Sequence, residues 1–330
     1  MKRILCLLFV LVLLCSCSNN TETEFSESLP SELEIDTADS EVVIKEPVNK
    51  EQTKIIFIGY KNTFFSNSIY SGIKSVYDGE IICLDIIEDK DYKTLSERIE
   101  EVISQNNISA IICSTGAEID YLPHTAVPVF VFPQYEQEYL GIYEEFGVDV
   151  MIFRPSYMQY NEVTVQIIKQ QDCNIVGAVY GAGGPVDYKY IYDWDYFKSQ
   201  LNEFECAEPV GNAHRTEGLA EEYISDTNCD CLYLLGYPEI SLEAVSEDMF
   251  VIAADTFFRD CIDALIDGKI DCVIQPNYYN MGEFAGNAIN DIIDGKTVDS
   301  EIITEPLILQ TAQEAQEYIA KVEENYPPAS

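Results

Sequence analysis

The chain has 330 residues, of which 58 are acidic and 19 are basic, so its formal net charge at pH 7 is −39. So acidic a chain repels the phosphate backbone, which excludes nucleic acid as an expected partner. Only two histidines occur, and neither a G-x-S-x-G nor an H-E-x-x-H motif is present. The sequence therefore offers little acid–base machinery, and we do not expect an enzyme.

The first residues are typical of a bacterial secretion signal. Lys2 and Arg3 precede an apolar run over 4–14, which is too short to span a bilayer because a spanning helix needs about 20 residues. Leu14-Cys15-Ser16-Cys17 then forms a lipobox, which predicts a signal peptide over 1–16 and Cys17 as the lipidated first residue of the mature protein. We expect a membrane anchor on the extracytoplasmic face; an ordinary signal peptide with incidental cysteines is the alternative.

An acidic segment comes directly after the signal. Residues 21–53 contain ten acidic residues against Lys45 and Lys50, with two prolines and few bulky apolar side chains. Such a composition cannot bury enough apolar surface to fold, so we interpret 17–53 as a solvated tether. The signal contributes +2 and the tether −8 to the net charge, which leaves −33 on the body that begins at Lys54.

From Lys54 onward, short apolar runs alternate with amphipathic segments. The predicted strands are 55–59, 81–87, 108–113, 127–132, 147–153, 175–180, 231–235, 249–254 and 272–275. The predicted helices are 66–77, 95–103, 160–169, 194–202, 219–225, 258–265 and 281–293. Continuous apolar strands separated by helices indicate an α/β fold whose parallel sheets are covered on both faces.

Prolines mark three places where the chain is expected to cross between two lobes, at Arg154-Pro155, Gln275-Pro276 and Glu305-Pro306. Proline ends the preceding element and fixes φ. We therefore predict two doubly wound parallel-sheet lobes joined by three hinge crossings. Lobe I would comprise 54–153 and 276–304, and lobe II 154–275 and 305–330. Two such lobes can close on a ligand held between the carboxyl ends of their strands.

The stretch 249–296 carries a family resemblance. An apolar strand that ends at Asp255, then "LIDGKIDCVIQ" and "MGEFAGNAINDIIDGK", resembles the C-terminal half of the type I periplasmic-binding-protein superfamily. Ribose- and galactose-type receptors of ABC transporters and the cores of LacI-type repressors share that architecture. The resemblance implies ligand contacts by Asp255 and Gln275. The alternatives are a helix cap for Asp255 and a linker role for Gln275.

A second match lies after the first strand. Asn62-Thr63-Phe64-Phe65 is similar to the Asn-Pro-Phe-Phe of sugar-type receptors. The resemblance implies that Asn62 donates to the solute and that Phe64 and Phe65 stack on its face. Ordinary core or turn packing is the alternative.

The sequence departs from the sugar-type pattern where that pattern selects the ligand. After the fourth predicted strand, sugar-type receptors have Asp-Arg; this chain has Pro133-Gln134, so Gln134 becomes the candidate contact there. After the strand that ends at Leu235, those receptors have Asn-Asp, whereas this chain has residues 236–239. The loop after 175–180 lacks the usual arginine and leads into tyrosines, aspartates and Trp194, which form either a wall for a cationic or aromatic solute or a packed helix start. Arg154 could bind a solute or pair with a neighbouring acid. A sugar, polyol, nucleoside or amine therefore remains open.

The cysteines indicate neither a metal site nor a cofactor. Three of the eleven lie in the signal region, the other eight show no paired C-x-x-C spacing, and only His124 and His214 could complete a site. We expect no metal and no cofactor. Four cysteines inside apolar strand runs are expected to be buried free thiols rather than disulfides, namely Cys83, Cys113, Cys231 and Cys272.

Together with the resemblance, these features imply a lipid-anchored solute-binding protein that serves an ABC permease. The same receptor could instead be the sensor of a membrane signalling system, which this chain does not distinguish from transport. A surface enzyme or adhesin on the same scaffold is the third hypothesis, although no internal repeat supports an adhesin. A monomer is expected.

Overall fold

The computed structural model describes residues 53–60, 63–86, 92–115, 122, 125–132, 150–181, 194–211, 218–236, 245–246, 248–254 and 259–325. The predicted signal peptide, the lipobox with Cys17 and nearly all of the predicted tether lie outside these residues. The described residues belong almost entirely to the body that begins at Lys54.

The described part contains twelve strands and eight helices, and most of the helices stand between two strands. The strands are β1 (Lys54–Gly59), β2 (Glu80–Asp85), β3 (Ile108–Cys113), β4 (Val129–Val131), β5 (Val150–Pro155), β6 (Ile175–Tyr180), β7 (Glu205–Cys206), β8 (Cys231–Leu235), β9 (Phe250–Ala254), β10 (Cys272–Pro276), β11 (Glu301–Thr304) and β12 (Pro306–Leu309). The helices are α1 (Phe64–Val76), α2 (Tyr92–Gln105), α3 (Tyr157–Lys169), α4 (Trp194–Gln200), α5 (Leu219–Thr227), α6 (Arg259–Ile266), α7 (Tyr278–Ile293) and α8 (Ala312–Glu323).

The strands form two six-stranded sheets. The sheet of lobe I has the order β11-β5-β4-β3-β1-β2, and all its strands are parallel. The sheet of lobe II has the order β12-β10-β9-β8-β6-β7, and only the edge strand β12 is antiparallel. The predicted fold class, two doubly wound parallel-sheet lobes, is confirmed.

Each sheet is covered on both faces because successive strand residues alternate between two cores. In β1, Ile55 and Phe57 pack under α1 and α7, whereas Ile56 and Ile58 pack under α2. In lobe II, α3 and α4 cover one face, and α5, α6 and α8 cover the other. This two-sided burial is why the central strands read as continuous apolar runs in the sequence.

The chain crosses between the sheets at three neighbouring places. It leaves lobe I after Pro155, returns between β10 and α7, and leaves again at Glu305 between β11 and β12. The register pairs Thr304 with Pro155 in one sheet and Pro276 with Pro306 in the other, so the crossings lie side by side. Strand β5 continues through Pro155, two residues past the lobe I boundary expected from the sequence.

Helices α1 and α7 of lobe I pack with unusually close backbones. A Cβ added at Gly72 would lie 2.0 Å from the carbonyl oxygen of Tyr279, and one added at Gly282 would lie 2.2 Å from that of Ile69. Only glycine permits this approach, because the atoms in the way belong to the backbone of the other helix.

Helix α8 connects the two lobes, and the sequence analysis did not predict it. A capping box begins it: Thr311 Oγ1 accepts from the Glu314 amide at 3.2 Å, and the Glu314 carboxylate accepts from the Thr311 amide at 3.0 Å. Its apolar face packs into the core of lobe II. Near its end, the Ser71 hydroxyl of α1 donates to the Val322 carbonyl at 2.6 Å.

The cysteine predictions are confirmed in part. Cys113, Cys231 and Cys272 are buried, whereas Cys83 is exposed. The prediction for Cys83 is wrong because β2 is an edge strand with only one buried residue, Leu84, so its apolar run faces partly outward. None of the eight cysteines of the described part forms a disulfide.

Candidate functional site

The carboxyl ends of the lobe I strands carry a pair of buried hydroxyl groups. Ser66, in the first turn of α1, accepts from the Tyr60 amide at 3.3 Å and donates to the Ser114 hydroxyl at 3.1 Å. Ser114 and Thr115 directly follow the buried strand β3. The sequence analysis missed these residues, although polar residues directly after a buried, mainly apolar strand are the signal expected at the ligand-binding edge of a parallel sheet.

Phe64 and Phe65 begin α1 and point into different cores. Phe65 is buried in lobe I, where its ring centroid lies 5.8 Å from that of Tyr278 and 6.4 Å from that of Tyr60. Phe64 is half-buried and packs against the lobe II core, with its ring edge-to-face on Tyr318 of α8 at 6.0 Å. Each ring thus has a protein partner, and stacking on a solute stays a prediction for both.

Gln275 lies at the junction of the lobes. It is buried near the end of β10, directly before the crossing at Pro276. Its side chain is close to the hydroxyl of Tyr318, which Ser68 of α1 and the backbone of Tyr279 also approach. Burial raises the pKa of Tyr318 to about 12, so this phenol stays protonated and is available as a hydrogen-bond donor.

Arg154 pairs with a neighbouring acid, which was one of its two predicted alternatives. Its Nε lies 2.6 Å from Oε1 of Glu301 on the adjacent strand β11. The arginine side chain is 17% exposed and the glutamate side chain 39%, so the pair lies at the surface of lobe I near the first crossing. A solute contact by Arg154 stays a prediction.

Trp194 begins α4 and belongs to the core of lobe II. Its indole ring stacks on Phe197 at 6.0 Å with an interplanar angle of 16°, and Phe197 in turn contacts Tyr233 at 5.4 Å. Its indole nitrogen is buried and donates to no atom of the described part. A buried N–H without an acceptor is costly, so this group is suited to an acceptor that the described residues do not supply.

Three predicted contacts, Asn62, Gln134 and Asp255, lie outside the residues that the structure describes. For Asp255, the structure describes the residue directly before it: Ala254 is the register partner of Ile274. Ile274 directly precedes Gln275. The strands that lead to Asp255 and Gln275 are therefore neighbours in one sheet.

The described ranges show neither a metal cluster nor a spanning helix. No group of three or more His, Cys, Asp or Glu side chains there is placed to hold a metal ion. None of the described helices is long and apolar enough to cross a bilayer.

Comparison with known proteins shows similarity in structure alone. No protein-family model and no curated protein matches the sequence. The solved structures that resemble the chain over most of its length include three sugar-transport proteins. An arabinose-binding protein from Geobacillus stearothermophilus is 11% identical with a TM-score of 0.60, covering 81% of this chain and 99% of its own. An ABC transporter solute-binding protein from Actinobacillus succinogenes, solved with D-allose, is 12% identical with a TM-score of 0.58. The match covers 81% of this chain and 100% of that protein.

The third is a periplasmic ribose ABC transporter protein from Conexibacter woesei, 14% identical with a TM-score of 0.58 over 83% of this chain and 97% of its own. At such low identity the likeness concerns the fold. The chain has the fold of the type I periplasmic binding proteins, as the resemblance in its sequence implied.

Proposed function

We propose that this protein is a lipid-anchored extracytoplasmic solute-binding protein that captures a small polar solute between its lobes and delivers it to an ABC permease. The observation that carries the proposal is the architecture: two parallel-sheet lobes, three adjacent crossings, and the same fold as structures described as ABC transporter binding proteins. In open parallel sheets, ligands bind at the carboxyl ends of the strands, and two lobes of this kind can close around one.

The groups near the cleft favour a polyhydroxylated solute, that is, a sugar or polyol. Lobe I offers the hydroxyl groups of Ser66, Ser114 and Thr115 at its strand ends. Lobe II offers the Gln275 amide. Trp194, in the core of lobe II, is a further proposed donor, because its indole N–H has no acceptor among the described residues. A few polar groups on an otherwise apolar lining are typical of small-molecule sites. Nucleosides and amines stay in the proposal because the ligand-selecting residues of sugar-type receptors are replaced here.

Asp255 is the proposed charged acceptor of the site. It directly follows β9, and the last residue of β9 pairs with the residue before Gln275. This pairing supports the proposal that Asp255 and Gln275 act together at the carboxyl edge of the lobe II sheet. The remaining proposed contacts are Asn62, Phe64, Phe65, Gln134, Arg154 and Trp194.

The anchor is proposed from the lipobox. Cys17 would carry the acyl chains after cleavage of residues 1–16, and residues 17–53 would tether the body to the membrane. A Cys17→Ser variant should lose metabolic palmitate labelling; labelling at the level of the unchanged protein would contradict the anchor.

A thermal-shift screen tests solute capture. The mature chain, made soluble by Cys17→Ser, is heated with sugars, polyols, nucleosides and amines. A ligand at about 100 times its dissociation constant adds roughly 2.7 kcal/mol to the stability of the bound state, which raises Tm by several degrees. One chemical class should give a saturable shift. The absence of a shift with every class at millimolar concentration would count against a solute receptor.

A further inference from the structure

Helix α8 is a fixed part of lobe II. Three of its residues, Ala315, Tyr318 and Ile319, are buried in the core that also contains residues of β8, β9 and β10. At the end of the helix, Glu323 forms an ion pair with Arg259 of α6. The helix is therefore held to lobe II from its first turn to its last.

The same helix also contacts lobe I. The Ser71 hydroxyl of α1 donates to the Val322 carbonyl at 2.6 Å, and both residues are buried. Lys321 Nζ lies 3.8 Å from the ring centroid of Tyr279 on α7 and 3.7 Å from Oε2 of Glu283 on the same helix. A hydrogen bond, a cation–π contact and an ion pair thus join the last turn of α8 to two helices of lobe I.

Two aromatic rings of lobe I complete this contact. Phe64 of α1 meets Tyr318 edge-to-face at 6.0 Å, and Tyr279 of α7 is buried in the core that α8 helps to form in lobe II. We call the contacts of α8 with Phe64, Ser71, Tyr279 and Glu283 the strap contacts. Separating the lobes at this face would expose the rings to water, which is unfavourable.

Both lobes carry a large charge of the same sign. Lobe I, residues 54–155 and 277–304, has 21 acidic and 8 basic residues, and lobe II, residues 156–276 and 305–330, has 27 acidic and 7 basic residues. The net charges are therefore −13 and −20, which together make the −33 of the body. Two such charges repel each other, and the repulsion is strongest at low ionic strength.

We propose that α8 is a strap that limits the separation of the two lobes. It belongs to lobe II, holds α1 and α7 of lobe I through the strap contacts, and opposes the electrostatic repulsion between the lobes. Lys321 contributes most directly to this role, because it is the only basic residue of α8 and lies beside the acidic Glu283 of lobe I. The proposal concerns the chain without solute and does not depend on the proposed function.

The test compares the mature Cys17→Ser chain with a strap variant that also carries Ser71→Ala and Lys321→Gln, both without added solute. The two substitutions remove the hydrogen bond to Val322 and the charge of Lys321, and they leave the aromatic rings in place. Small-angle X-ray scattering at about 0.01 M salt, where the Debye length is about 30 Å, should give a larger radius of gyration for the strap variant. At about 1 M salt, where the Debye length is about 3 Å, the difference should shrink, because the charges of the lobes are screened.

Hydrogen exchange locates the change within the fold. Loss of the hydrogen bond to Val322 should make the amides of 318–325 exchange roughly three- to tenfold faster in the strap variant. The amides of the two sheets should exchange as they do in the parent protein, because the strap contacts lie outside the sheets.

Ser104→Ala with Lys269→Gln is the matched control, because it makes the same two changes away from the strap. Ser104 Oγ donates to the Glu101 carbonyl within α2 at 2.8 Å, and Lys269 Nζ lies 3.4 Å from Oδ2 of Asp267 at the surface. The radius of gyration and the exchange rates of this control should equal those of the parent protein.

Lys321→Gln alone changes an exposed side chain and keeps the test valid should the double variant fail to fold; it should shift the radius of gyration in the same direction by a smaller amount. An unchanged radius of gyration at low salt would overturn the proposal. An equal increase in the control, or faster exchange spread over the whole of lobe II, would overturn it as well.

Discussion

Replacing Gly72 with alanine should destabilise the protein although alanine is the better helix former. The new Cβ would lie 2.0 Å from the Tyr279 carbonyl oxygen and 2.9 Å from the Glu283 amide nitrogen, and both are backbone atoms of α7. No rotamer change can relieve such contacts, so the two helices must separate. Overpacking of this kind destabilises a protein by up to about 3 kcal/mol, whereas the higher helix propensity of alanine over glycine stabilises it by about 1 kcal/mol. We expect a net loss of up to about 2 kcal/mol in the free energy of unfolding, measured by urea unfolding.

Asn287→Ala is the control, because Asn287 is an exposed residue of α7, the helix against which Gly72 of α1 packs. That substitution should change the free energy of unfolding by no more than about 0.5 kcal/mol. A Gly72→Ala protein as stable as the parent would show that α1 and α7 do not pack as closely as the structure has them.

The second large effect is expected on binding: Asp255→Asn should weaken solute affinity by roughly ten- to a hundred-fold. Asparagine keeps the shape of the side chain and its capacity to cap a helix, but it removes the negative charge. A charge-assisted hydrogen bond in a closed cleft contributes about 1.5 to 3 kcal/mol, which corresponds to that range of affinity. Calorimetric titration with the solute found in the thermal-shift screen measures the change.

Asp267→Asn is the control for this prediction, because it makes the same charge change at an exposed turn of lobe II. The carboxylate of Asp267 forms only a weak surface ion pair there, with its Oδ2 3.4 Å from Lys269 Nζ. Its affinity should equal that of the parent protein. Phe64→Ala would be a less specific test, because its ring packs on Tyr318 and its loss would also disturb the contact between the lobes. Unchanged affinity in Asp255→Asn would place the charged contact elsewhere.

Strands buried on both faces were predicted well from the sequence. The bounds of β3, β6 and β8 agree with the predicted 108–113, 175–180 and 231–235, because continuous apolar runs report two-sided burial directly. Helix starts were less accurate. Helix α3 begins at Tyr157 rather than at 160, because Ser156 caps it by accepting from the Gln159 amide, a local signal that apolar periodicity does not register.

The segment after α7 was not predicted as structure. Strands β11 and β12 are four residues long and lie at sheet edges, where Ile303 is 52% and Ile308 is 38% exposed, so they lack the signature of a buried strand. Helix α8 did carry signals. Thr311 and Glu314 form a capping box, and its apolar residues recur at helical spacing, namely Ala315, Tyr318, Ile319 and Val322.

The contacts that join distant parts of the chain could not be derived from local patterns. Arg154 pairs with Glu301, which is 147 residues away in sequence, and the register of β5 with β11 brings the two together. Phe64 meets Tyr318 only because α8 returns to lobe I. Sequence patterns could therefore suggest which residues are candidates for the site, but not which side chain each of them contacts.

The most direct test of capture between two lobes is small-angle X-ray scattering of the mature Cys17→Ser chain with and without a saturating solute from the screen. The three crossings lie side by side, and closure of two domains on a ligand takes place about a few such segments. Solute should reduce the radius of gyration and the longest dimension of the body. Superimposable curves at a concentration where calorimetry shows full occupancy would contradict closure of the lobes on the solute.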